Sequence, residues 1–206
     1  MIRYYRIFDV YNSPKKKIVP NRPYTEIYAF LEPFSSSPLP DGVEWRVKKG
    51  NRWSDQIPYF EAEVHKFYSA RIVEFLSSKI NLTGRCYPLK IVGDDVPETM
   101  YYSLYNLPSY VCLNLERLRD PYTPDDTPIF LLPADGTIPV GILTLDHTRY
   151  KIVDEETMRQ MKEMKATNMA FEEAYAVTQE EWDEMRRHNR WTIGSLLKKA
   201  IATISK

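Results

Sequence analysis

The sequence predicts an α+β protein: a mixed or antiparallel sheet body with packed helices and a helical C-terminal region. Three observations predict it. The first two-thirds is broken by proline into short runs of β-forming residues. Prolines stop altogether after Pro139. From Asp154 onward, apolar residues recur at helical rather than alternating spacing.

Taken in order, residues 4–11 alternate and are rich in β-formers, which predicts a strand. Asn12, Ser13 and Pro14 stop it, and Lys15, Lys16 and Lys17 read as a solvated turn. Residues 33–42 form a loop, and 43–47 another strand. Ser69 can cap a helix in which Ile72, Val73 and Leu76 share a face, with Gly84 ending that unit. Residues 87–92 read as one strand, 94–97 as a turn, and 101–105 and 110–115 as strands. A turn-rich loop spans 120–128. Residues 129–132 and 140–145 read as a hairpin or adjacent pair, and 150–153 as a short strand.

The chain of 206 residues is read as a single domain, with a β-rich body over about 1–153 and a helical part over about 154–206. Asp154, Glu155 and Glu156 place acids in a first turn, where the helix dipole favours them. Met158, Met161 and Met164 follow at a spacing of three, most simply the core side of a helix. Thr178 with Glu181 makes a capping-box pattern ahead of Trp182 and Met185. Thr192 starts a last helix with an apolar stripe through Ile193, Leu196, Leu197, Ala200, Ile201 and Ile204.

Composition narrows the function. Lys+Arg and Asp+Glu both number 28, so the net charge is zero and no basic excess supports nucleic-acid binding. No apolar stretch reaches membrane-spanning length, and the N-terminus lacks a signal-peptide pattern; the expected location is the cytoplasm. Cys86 and Cys112 are not spaced as a metal or redox pair, and Cys112 sits in an apolar run as a small hydrophobe.

No phosphate-cradling, nucleophile-elbow or zinc-protease motif is present, and no cofactor or metal is expected. The best enzymatic candidate is Glu61, Glu63 and His65, which a strand would place on one face, where two carboxylates and an imidazole could hold a metal or exchange protons. The same alternation also describes an ordinary exposed strand. Asp146 beside His147 reads as turn chemistry, because neighbours in a strand point opposite ways.

Acids outnumber bases between 154 and 184, and the charges after 185 are all basic. Glu180, Glu181, Asp183 and Glu184 could face a basic partner; the simpler reading is a solvated helix face. With 15 Tyr and 4 Trp, half-buried sheet faces and a protein interface are both open readings.

Several stretches together resemble the immunity proteins of bacterial polymorphic-toxin systems, a domain family formerly of unknown function. They are the aromatic strand and Ser-started helix at 67–76 (Phe-Tyr-Ser-Ala-Arg-Ile-Val-Glu-Phe-Leu), the strand at 87–92, the Tyr-Tyr-Ser-Leu-Tyr-Asn element at 101–106, the segment Val-Cys-Leu-Asn at 111–114, and Lys-Ile-Val-Asp at 151–154 with its following helix. The resemblance covers about residues 58–175. It implies a non-enzymatic cytoplasmic protein that neutralises a cognate toxin by direct binding. Such a binder would centre on aromatic anchors, for which Trp53, Tyr59, Trp182 and Trp191 are the candidates. The alternatives are a hydrolase centred on Glu61, Glu63 and His65, and a structural or self-associating scaffold module.

Overall fold

The computed structural model describes residues 2–10, 14–31, 35, 38–60, 65–112, 129–132, 140–145 and 150–187. In chain order these form β1 (Ile2–Phe8), β2 (Lys17–Pro20), α1 (Tyr24–Leu31), β3 (Glu44–Lys49), β4 (Gln56–Pro58), β5 (Lys66–Ser69), α2 (Ala70–Ser77), β6 (Cys86–Pro88) and β7 (Lys90–Ile91). There follow β8 (Tyr101–Leu104), β9 (Ser109–Cys112), β10 (Ile129–Leu132), β11 (Ile142–Leu145), β12 (Lys151–Asp154), α3 (Glu155–Glu163), β13 (Ala170–Ala176) and α4 (Gln179–Arg187). The fold is α+β, as the sequence predicts, with three mixed or antiparallel sheets. No helix among the described residues is long and apolar enough to cross a membrane.

The largest sheet is a closed barrel in the order β1-β12-β11-β9-β10-β13. β1 is its spine, paired antiparallel with β12 on one side and with β13 over its whole length on the other. Register fixes which side chains share a face: Tyr4 stands opposite Asp154 and Ala174, Tyr5 opposite Val153 and Glu173. Tyr4, Leu143, Leu145, Ile152, Ala174 and Ala176 pack together inside. The outer face carries Tyr5, Ile7, Ile142 and Val153, which meet Ile72, Val73 and Leu76 of α2 and Met158 and Met161 of α3. The helical stripes read from the sequence are thus the surfaces that cover one side of the barrel.

Two smaller sheets, β2-β3-β7 and β4-β5-β8-β6, share a second core around Trp45. The Trp45 ring lies 4.7 Å from that of Phe67 and 5.8 Å from that of Tyr59, both edge-on. Helix α1 closes this core with Ile27 and Leu31.

Four expectations are corrected. Residues 170–176 are a strand, so the C-terminal part is not wholly helical. Their Ala and Glu content favours helix, but seven consecutive register pairs with β1 override that weak preference. β10 and β11 are not neighbours: β9 lies between them, antiparallel to the first and parallel to the second, because the barrel needs a strand there to close. The stretch 87–92 is two strands in different sheets, pivoting at buried Leu89. Lys15 and Lys16 are buried rather than solvated, because each finds a carboxylate: Lys15 faces Asp9 and Lys16 pairs with Asp95. The loop at 120–128, Cys112's side chain and the helix from Thr192 lie outside the described residues.

Candidate functional site

Two places concentrate polar chemistry. The first is a buried seam where β1, β4, β5 and the turn before β13 meet. Asp55 accepts hydrogen bonds from Ser69 Oγ (2.8 Å), Arg71 Nε (2.6 Å), Thr167 N (2.7 Å) and Thr167 Oγ1 (2.8 Å). Burial pushes its carboxyl upward, but the bonds from Arg71, Thr167 and Ser69 outweigh burial and hold it at about 2. Beside it, Asp9 Oδ1 accepts from Gln56 Nε2 (2.9 Å) and Asn168 Nδ2 (3.0 Å), and Oδ2 pairs with Lys66. Every strong charge in this seam is met by an opposite charge or a neutral donor. Its chemistry is that of a clamp joining the sheets, and Ser69, expected to cap α2 through its hydroxyl, gives that hydroxyl to Asp55 instead.

The second is a surface groove of about 560 Å³ along β3, lined by Glu44, Arg46 and Val47 and by residues 92–95. It exists because β7 is only two residues long. β7 pairs with β3 at Glu44 and Trp45, Val92 N donates the last bond to Trp45 O (2.9 Å), and Gly93 at φ +117° turns the chain away. One wall is held firmly. Trp53 Nε1 donates to Asp95 Oδ1 (3.1 Å), Lys16 pairs with Asp95 from below, and the Lys16 ammonium lies 5.5 Å from the Trp53 ring centre.

The residues singled out from the sequence scatter. Trp53 is half-buried at this wall. Tyr59 is 0% exposed in the Trp45 core and Trp182 is 6% exposed, so neither ring is offered to a partner, a correction that follows from their burial. Glu180, Glu181, Asp183 and Glu184 are exposed on α4, where Glu181 and Thr178 exchange the two bonds of a capping box (2.8 and 3.1 Å). Trp191, Glu61, Glu63, Asp146 and His147 lie outside the described residues. His65 is 5% exposed, with its Nε2 3.2 Å from Tyr24 Oη and its ring beside that of Tyr59, the surroundings of a satisfied core histidine. Among the described residues no cluster of three His, Cys, Asp or Glu side chains could hold a metal.

Of the residues singled out from the sequence, Trp53 adjoins this groove through Asp95, while Arg46, Val47 and Asp95, which line it, were not among them. The Asp-Asp turn at 94–95 was visible in the sequence; that it borders an open strand edge was not. No protein-family model matches the chain, and no curated protein matches it.

Proposed function

We propose that the protein works by binding a protein partner, as an immunity protein that neutralises a cognate toxin by direct contact. The observation that carries this reading is the groove along β3. A strand edge left open beside a rigid wall, with a half-buried tryptophan and exposed charges of both signs, suits protein recognition. The resemblance over 58–175 supports the same reading, as does the row of exposed acids on α4, which would favour encounter with a basic partner.

The test is capture of partners by the tagged full chain from lysate of its source cells, with bound chains identified by mass spectrometry. The expected result is one dominant partner, present in stoichiometric amount, whose expression alone arrests growth and whose toxicity co-expression of this chain relieves. No stoichiometric partner, or one whose toxicity is unaffected, would count against the reading.

A further inference from the structure

We propose that the open edge of β3 at Val47 takes up an extended segment of the partner as an added strand, with an acidic side chain of that segment against Arg46 and a basic one against Asp94. The inference rests on the protein-binding reading and names its mode.

The main-chain directions along β3 can be worked out from its bonds. Glu44 O accepts from Asn21 N (2.8 Å), on the β2 side, and Trp45 O accepts from Val92 N, on the β7 side. Successive residues of a strand point their main-chain groups to opposite edges. Arg46 therefore turns to β2, where it is in register with Val19, and Val47 turns its N–H and C=O toward the groove. These two groups have no partner among the described residues. An unpaired strand edge is a template for another strand.

Charge selects the occupant. Glu44 is paired with Lys90 and Asp95 with Lys16. Arg46 and Asp94 are exposed, lie on the groove, and form no ion pair among the described residues. A second copy of this edge is a poor occupant, because Arg46, Lys48 and Lys49 are all exposed along it and would face their own like charges. A segment carrying both signs has no such penalty.

The experiment pans a random dodecapeptide phage library on the full chain. Expected are proline-poor peptides carrying an acid and a base, whose binding slows hydrogen exchange at the Val47 amide. Affinity should fall at least about tenfold in Val47→Pro, which removes the groove-facing donor while leaving the ladder to β2 intact. Arg46→Glu, an exposed substitution that leaves the backbone unchanged, should select peptides with the acid replaced by a base. Enrichment of no peptide, undiminished binding to Val47→Pro, selection of the same peptides by Arg46→Glu, or protection elsewhere would overturn the proposal. So would a dimer in sedimentation that Val47→Pro abolishes, since the edge would then serve a second copy. If the partner captured from lysate binds Val47→Pro as tightly as the natural chain, strand addition fails while the partner reading stands.

Discussion

At the scale of single residues, the strongest local bond set belongs to Asp55. Its folded-state carboxyl is held at about 2, below the ordinary value near 3.8. The native state therefore binds fewer protons than the unfolded chain as pH falls through this range, so the stabilisation is present above about pH 4 and is lost on descending toward pH 2. Urea midpoints across that window should fall for the natural chain and vary less for Asp55→Asn. At neutral pH that variant should be less stable by about 2 kcal/mol, because Arg71 and Thr167 lose a charged acceptor and Arg71 is itself half in solvent. Gly50 is a second residue-scale case. At φ +91°, a Cβ there would stand 2.0 Å from Lys15 O, a backbone atom that cannot swing aside. Gly50→Ala should cost about 2 kcal/mol or more by chemical denaturation, through both strain and collision.

At the scale of elements, what was legible in the sequence follows what local chemistry decides. The α2 stripe, the Asp154 start of α3 and the Thr178–Glu181 box depend on residues within one or two helical turns, and all three appear where the pattern places them. Helix α1 was not legible: its buried face is only Ile27 and Leu31, whereas α2, of equal length, buries Ile72, Val73 and Leu76. β13 was not legible because its partner is β1, more than 160 residues away in the chain, and its Ala-Phe-Glu-Glu run carries no alternation. The groove was illegible for a related reason, since an open edge is defined by a neighbouring strand that stops early. Asp154 shows an element doing two tasks. Its carboxylate accepts from Thr157 N (3.0 Å) and Thr157 Oγ1 (2.5 Å) to start α3, and from Gly141 N (2.6 Å) to fix the turn into β11. Asp154→Ala should cost about 2 kcal/mol in thermal or chemical melts, above the usual loss of about 1 for a helix cap alone, because the Gly141 amide is left buried without its acceptor.

At the scale of the molecule, the barrel and the β4-β5-β8-β6 sheet are joined both by an apolar cluster, in which Tyr68 of β5 and Leu104 of β8 meet Tyr5 and Ile7 of β1, and by the polar seam. Asp55, just before β4, and Gln56, its first residue, reach Thr167 and Asn168, the turn that delivers β13 into the barrel, and Asn168 Nδ2 also donates to Gln56 O (2.7 Å). A bond set of this kind couples the opening of one unit to that of the other, because neither side can leave without stranding buried donors and acceptors. Native-state hydrogen exchange should therefore find β1, β13, β4 and β5 amides opening with closely similar free energies. Thr167→Ala with Asn168→Gly removes the side-chain half of the clamp while leaving the three apolar clusters untouched, glycine keeping the φ of +60° at 168 without strain. In that variant the β4 and β5 amides should exchange at least about tenfold faster, with the central β1 amides changing much less, since sheet pairing on both sides still holds β1. An equal acceleration throughout would mean that the cores themselves, rather than the seam, make the molecule open as one.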